Sequence, residues 1–135
     1  MTDTILVDRD GPVATVTMNR PRQRNALSLD HLRELLDAVR AVGGSDARGL
    51  VVAGAGPVFS AGHDFSDMAG ADLAAMRRLL LTCTELMDAL QSIPQVVVAR
   101  VHALATAAGC QLVATCDLAV AAESAYPWLG LVSAV

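Results

Sequence analysis

The spacing of apolar residues changes along the chain: in some stretches every second residue is apolar, and in others every third or fourth. Alternation on both sides of the "GP" turn near the start predicts an antiparallel hairpin over residues 4–19. Helical spacing predicts one helix that begins after Ser28 and a second over residues 71–91. The stretches "GLVVAG", "VVVARVH" and "DLAVAA" each predict a strand. Because helices separate these strands, the order predicts an α/β fold with mainly parallel strands.

Two segments between these elements are harder to assign. The stretch "TAAGCQLVATC" is apolar nearly all round, which predicts a short, buried helix. The stretch "PVFSAGHDFSDM" is too irregular for a strand or a helix and is predicted to be a loop.

Composition restricts the class of protein. The 135 residues suffice for one domain, and an aromatic content of 3% means that aliphatic side chains must fill the core. The net charge of −4 is scattered over both signs, so we expect no nucleic-acid partner and no membrane partner. Three cysteines, Cys83, Cys110 and Cys116, lie in apolar stretches without a CxxC motif, which favours reduced thiols in a cytoplasmic protein. The N-terminus has no basic start followed by an apolar run, so no signal peptide is expected.

Common catalytic patterns find little support. The loop "GAGPVF" lacks the third glycine of a dinucleotide fingerprint, and no metal site is predicted. His31, near a helix start, is predicted to be a solvated surface residue, and His102 a capped or packed one. His63 lies in a loop that leaves a strand, where functional residues are more frequent.

Two stretches of small residues combine into a candidate site. They are "FSAGHDF" at residues 59–65 and "ATAAGCQL" at residues 105–112. Ala107, Ala108 and Gly109 are predicted to lie in the first turn of a helix, where N–H groups lack intrahelical partners and favour an anionic oxygen. The alternative is that the small residues only allow a helix to pack closely, and the residues alone leave both interpretations open.

Three motifs resemble those of the enoyl-CoA hydratase/isomerase (crotonase) family: "NRPRQRNALS", "FSAGHDFSDM" and "VATCDLAVAAESA". The resemblance implies an α/β spiral of ββα units with a mostly parallel sheet and helices. It also implies acyl-CoA thioester substrates in fatty-acid metabolism, no cofactor beyond the coenzyme A that is part of the substrate, and a homo-oligomer, either a trimer or a hexamer.

The resemblance also implies roles for individual residues. The backbone N–H groups of His63 and Ala108 would form an oxyanion hole that stabilises a thioester enolate. Gln111 occupies the place where the hydratases of the family carry a glutamate, and an amide cannot act as a general base near neutral pH. Six further residues are implied to lie along the coenzyme A or beside it: Arg22, Arg24, Ala26, Ala61, Asp64 and Phe65. Asp64 is expected to cap the next turn rather than to do chemistry.

The end of the chain departs from the family pattern. After "AESA" the sequence reads "YPWLGLVSAV", without the second acid/base glutamate that the family places later. We therefore expect a crotonase-like core at residues 1–125, an atypical apolar tail at 126–135, and a C-terminal truncation of the fold. Two functions follow as hypotheses: an enzyme of the hydratase/isomerase type, or a non-catalytic remnant or assembly module.

Overall fold

The computed structural model describes residues 3–130 of the chain. Within them, the strands are β1 (Ile5–Asp10), β2 (Val13–Met18), β3 (Gly49–Gly54), β4 (Val96–Val101), β5 (Ala105–Thr106), β6 (Leu118–Ala121) and β7 (Leu129–Gly130). The helices are α1 (Leu29–Gly43), α2 (Phe65–Met68), α3 (Leu73–Ser92) and α4 (Ala108–Thr115). Short 3-10 helices span Pro21–Gln23 and Glu123–Trp128.

Five strands form one sheet in the order β1-β2-β3-β4-β6. The first pair is the predicted antiparallel hairpin, and the other three pairs are parallel. Strands β5 and β7 form a separate parallel pair. The predicted α/β fold with a mainly parallel sheet is therefore confirmed.

The core lies between one face of the large sheet and the helices α1 and α3. Alternate residues of β2 and β4 reach it, and the helices contribute leucines such as Leu32 and Leu86, both fully buried. Helices α1 and α3 both begin at a side-chain cap. Ser28 accepts a hydrogen bond from the N–H of His31, and Asp72 accepts one from the N–H of Ala75.

The other face of the sheet is open in the described part of the chain. The parallel register places Leu118 beside Val98 and Val120 beside Arg100, so these residues point to the same side. Leu118 is 61% exposed, Val120 64% and Val96 53%. Strands β3 and β4 are thus covered mainly on one side, and β6, at the edge of the sheet, is exposed along its whole length. Residues 131–135 of the predicted tail lie outside the described residues, and the division at 125/126 stays a prediction.

Three local predictions were wrong. His31 is 1% exposed, because the first turn of α1 faces the core rather than solvent. The "FSDM" segment forms the short helix α2, which Asp64 caps, where a loop was predicted. Helix α4 is only partly buried, since Gln111 and Ala114 are exposed on its outer side.

The open face generates a first prediction, for the 135-residue chain expressed alone. We expect it to self-associate and to bind a dye for exposed apolar surface, because burying each large aliphatic side chain is worth about 1.5–3 kcal/mol. Replacing Leu118 and Val120 together by threonine, which suits a strand, should reduce both the weight-average mass in analytical ultracentrifugation and the dye signal. Leu81→Gln, on the exposed side of α3, serves as control and should change neither. A monodisperse, dye-silent parent chain would contradict the prediction.

His31 generates a second prediction, about pH. Burial, helped by the positive charge of Arg20, lowers the pKa of His31 from 6.5 to about 4. Above pH 6.5 the residue is neutral in both states and has no effect. Between pH 6.5 and 4 the unfolded chain binds the extra proton, so the free energy of unfolding should fall by up to about 3 kcal/mol.

Urea unfolding at a series of pH values measures this effect. His31→Leu should flatten the profile between pH 6.5 and 4.5. If the free energy of unfolding changed with pH in the same way in the parent chain and in His31→Leu, a group other than His31 would cause the loss of stability at low pH.

Candidate functional site

The two stretches of small residues lie against each other. Ser60 forms an isolated bridge with Ala105, and its carbonyl accepts the N–H of Thr106 at 3.1 Å. A methyl group on Gly109 would lie 2.4 Å from the Ser60 carbonyl oxygen, so the backbones approach too closely for any side chain there. The loop after β3 and the start of α4 are thereby held in direct contact.

The peptide group between Gly62 and His63 has a fixed orientation. The Gly62 carbonyl accepts the N–H of Leu27 at 2.7 Å. In a trans peptide the C=O and the following N–H point in opposite directions, so the His63 N–H points away from Leu27. No acceptor for this N–H occurs among residues 3–130.

The N–H of Ala108 is oriented in the same manner. The Ala107 carbonyl accepts the N–H of Gln111 at 3.0 Å, which is the first hydrogen bond of α4. The Ala108 N–H therefore points out of the helix start, and it too has no acceptor in the described part of the chain. A methyl group on Gly62 would lie 3.1 Å from this nitrogen, so the helix start lies beside the Gly62–His63 peptide.

The packing interpretation of the small residues is confirmed at Gly109, which lies directly against the Ser60 carbonyl. The interpretation as an anion site stays a prediction, for which the N–H groups of His63 and Ala108, without acceptors among the described residues, are the candidates. Ala107 is the N-cap of α4 rather than part of its first turn, with φ 52° and ψ −126°. This conformation is unfavourable for alanine, and it is maintained by the contacts on either side.

A buried asparagine ties a third loop to the site, and sequence reasoning missed it. Asn25 is fully buried at φ 50°, and its side-chain amide donates to the carbonyls of Ala55, Val58 and Phe59 at 2.9–3.0 Å. Its Oδ1 accepts the N–H of Arg20 at 2.8 Å. Asparagine tolerates a left-handed backbone, which is the one sequence signal that favours this position.

Arg20 and Asp64, whose side chains are partly exposed, connect the same loops. The Arg20 guanidinium donates to the Ala26 carbonyl at 2.9 Å and to Ser28 Oγ at 3.0 Å, and it lies 3.6 Å from the Asp64 carboxylate. Asp64 accepts the N–H of Ser66 at 3.0 Å, which confirms the predicted cap. The hydrogen bonds from Ser66 and the nearby Arg20 charge lower the pKa of Asp64, while its partial burial opposes them.

The side chains of the other predicted residues are dispersed. The His63 ring is half-buried, and burial lowers its pKa, so it is neutral near pH 7; a weaker contact with the Leu27 backbone acts in the opposite direction. Gln111 is exposed, one turn along α4 from Ala108. The approach of Gly62 to the Ala108 nitrogen brings the His63 amide, one residue further on, near the start of α4.

The residues implied to contact coenzyme A fall into two groups. Ala26 and Ala61 are half-buried and lie on adjoining loops, since the Ala61 N–H donates to the Arg24 carbonyl at 3.0 Å. Arg22, Arg24 and Phe65 have exposed side chains, Phe65 at 80%. Within residues 3–130 neither of these arginine side chains makes an ion pair or a hydrogen bond, which leaves them available to an anionic ligand.

Other site types can be examined in residues 3–130. This part of the chain holds no group of three or more metal-ligating side chains, and none of its helices is long and apolar enough to cross a membrane. The three cysteines are free thiols, and burial, with Asp117 nearby, raises the pKa of Cys116 to about 12.

The close approach at Gly62 generates a third prediction. Gly62 has φ +92°, and an alanine methyl there would lie 2.9 Å from the Ala107 Cβ, inside the space between the two N–H groups. Gly62→Ala should lower the free energy of unfolding by about 2–4 kcal/mol, from backbone strain plus overpacking. The control is Gly70→Ala, with φ +71° and nothing within 4 Å, which should cost about 1–2 kcal/mol. Equal losses in urea denaturation would show that the two loops do not touch as described.

Comparison with known proteins places this geometry in a family. The model of the enoyl-CoA hydratase/isomerase family matches residues 8–131. Enoyl-CoA hydratase domain-containing protein 3, mitochondrial, of Danio rerio is 41% identical over 120 residues, which are 87% of this chain and 42% of that protein. Delta(3,5)-Delta(2,4)-dienoyl-CoA isomerase, mitochondrial, of Pongo abelii is 32% identical over 126 residues, covering 84% of this chain and 38% of that one.

A solved structure agrees with the sequence comparison. The crystal structure of an enoyl-CoA hydratase from Mycobacterium smegmatis matches with a TM-score of 0.86 and 46% identity, over 89% of this chain and 48% of that one. The chain thus spans about half the length, or less, of the relatives it matches. On its sequence, its fold and the arrangement of its loops, the chain belongs to the enoyl-CoA hydratase/isomerase (crotonase) family.

Proposed function

We propose that the chain binds an acyl-CoA thioester with the thioester carbonyl oxygen between the N–H groups of His63 and Ala108. The observation that carries this proposal is the pair of oriented N–H groups beside Gly62, neither with an acceptor among the described residues. Two such donors, one of them at the start of α4, can bind an oxygen that carries a partial or full negative charge.

The chemistry of a thioester suits this arrangement. Removing an α-proton, or adding a nucleophile at the β-carbon, places negative charge on the carbonyl oxygen. One aimed donor is worth roughly 3–4 kcal/mol to such a transition state. The half-buried Ala26 and Ala61 leave room for a chain to pass, and the exposed Arg22 and Arg24 offer positive charge to the phosphates.

The proposed reaction is of the hydratase/isomerase kind and belongs to fatty-acid metabolism. The proposal specifies one feature of it, the stabilisation of an enolate by the site. Gln111 cannot take a proton, so two-carboxylate hydration is not part of the proposal. The Danio rerio and Pongo abelii relatives bear the names of a hydratase-domain protein and an isomerase, and both names include "mitochondrial". Cytoplasmic location stays a prediction, as does the need for no cofactor beyond the coenzyme A of the substrate.

A second candidate function has its own support. Gln111 in the place of an acid, together with the open sheet face, favours a non-catalytic module that associates with copies of itself. Such a module would bind thioesters weakly or not at all. Homo-oligomerisation belongs to both candidates, and the trimer or hexamer implied by the resemblance is proposed on that basis.

Thioester binding is the fourth prediction. Short and medium acyl-CoAs should raise the melting temperature, since a ligand at 100 times its Kd stabilises the folded state by about 2.7 kcal/mol. The matched control ligand is an alkyl-CoA thioether, which keeps the chain and the nucleotide but lacks the carbonyl oxygen. It should bind more weakly than the thioester, and Gly62→Ala should remove the difference between the two ligands.

A folded chain whose melting temperature no thioester changes would contradict the proposal and favour the non-catalytic module. Robust hydration of crotonyl-CoA by the unmodified chain would leave the binding proposal in place and contradict only the argument from Gln111, since a base other than Gln111 would then act in the site.

A further inference from the structure

We propose that Ser60 is a positioning residue of the oxyanion site, with a hydroxyl that holds the His63 donor at its working distance from Ala108. This inference rests on the proposed function. Ser60 lies in neither donor peptide, yet it forms hydrogen bonds with both donor segments.

The Ser60 hydroxyl is fully buried and acts both as a hydrogen-bond donor and as an acceptor. Oγ donates to the Asn25 carbonyl at 2.9 Å and accepts the N–H of Gly62 at 3.3 Å. A hydroxyl has a single proton, so the bond to Asn25 turns an oxygen lone pair toward Gly62. The Gly62 N–H is therefore held inward, on the residue directly before the His63 donor.

The main chain of Ser60 is tied to the other donor segment. Its N–H donates to the Leu104 carbonyl at 3.2 Å, and its carbonyl accepts the N–H of Thr106 at 3.1 Å, two residues before Ala108. Gly109 lies directly against this carbonyl. The position of Ala108 is therefore fixed relative to the Ser60 backbone, while the position of His63 depends on the Leu27 backbone and on the Ser60 side chain.

The two ends of the Gly62–His63 segment are held by different means. On one side the segment is held by the Leu27 backbone, whose N–H donates to the Gly62 carbonyl at 2.7 Å and whose carbonyl accepts the Asp64 N–H at 3.3 Å. On the other side the Gly62 N–H has the Ser60 hydroxyl as its partner among the described residues. Loss of the hydroxyl leaves a buried donor and the Asn25 carbonyl without that partner, and the segment is then held from the Leu27 side alone. We expect the segment to tilt about its two bonds to Leu27 and to turn the His63 N–H away from the carbonyl oxygen.

The chain supplies a matched control at Ser45. Its Oγ donates to the Val42 carbonyl at 2.6 Å and accepts the N–H of Ala47 at 3.2 Å. This is the same pattern, with the acceptor bond again reaching the residue two positions on, but at the end of α1 and away from the candidate site. Ser45 is exposed whereas Ser60 is fully buried, so Ser45→Ala controls for the loss of this hydrogen-bond pattern, away from the donors, and not for its burial.

The experiment, on the full chain, measures carbonyl polarisation and affinity separately. The probe is butyryl-CoA labelled with ¹³C at the thioester carbonyl, whose infrared stretch moves to lower wavenumber when N–H groups donate to the oxygen. Calorimetry gives the Kd of butyryl-CoA and of the corresponding alkyl-CoA thioether. In Ser60→Ala we expect at least half of the wavenumber shift to be lost and the thioester to bind about tenfold more weakly. The Kd of the thioether should stay within about twofold, and Ser45→Ala should match the parent chain throughout.

Further variants keep the test decisive if Ser60→Ala fails to fold. Ser60→Thr keeps the hydroxyl and should keep the wavenumber shift, whereas Ser60→Cys, with a weakly hydrogen-bonding thiol, should reduce it. A folded Ser60→Ala or Ser60→Cys with the full shift and an unchanged thioester Kd would overturn the inference alone. A parent chain that binds the probe without a shift, or does not bind it, would instead overturn the proposed function.

Discussion

The contact between the Ser60 carbonyl and Gly109 is the constraint on which the site depends. It requires a residue without a side chain at Gly109, since a methyl group would lie 2.4 Å from the oxygen. The contact is possible because β3 and β4 are parallel neighbours, so the loops that leave their carboxyl ends emerge side by side. Ligand sites of α/β proteins commonly lie at this edge of the sheet. Close packing and free N–H groups are thus two results of one backbone approach.

The loop after β2 completes the arrangement, because β2 is the other parallel neighbour of β3. This loop contributes mainly polar contacts. The Asn25 side chain donates hydrogen bonds to three main-chain carbonyls of the loop after β3, and Arg20 forms an ion pair with Asp64. Each of these buried or partly buried polar groups finds a partner within the three loops, as burial requires. Among the described residues the N–H groups of His63 and Ala108 lack such a partner, as do both ring nitrogens of the buried His31.

The sequence predicted the elements better than the contacts. Strands and long helices were recovered because alternation and helical spacing are local, and the caps Ser28 and Asp64 act within three residues. The two site segments were found from their small residues alone. Ser60 and Asn25 were missed because their partners lie 35 residues apart in the chain, and nothing local identifies the pair. His31 was misplaced for a similar reason: the cap locates the start of α1, but packing decides which side of its first turn faces the core.

The open sheet face and the candidate site make different physical demands on the chain. The hydrogen bonds that orient the two donors are all made between residues 20 and 111, by loops that are already in contact. The face that carries Leu118 and Val120 takes no part in those bonds, and its exposure acts on stability and association. Covering this face would therefore raise the population of folded chain without reorienting either N–H group. Stability and donor geometry can accordingly be changed one at a time in this protein, because they depend on different residues.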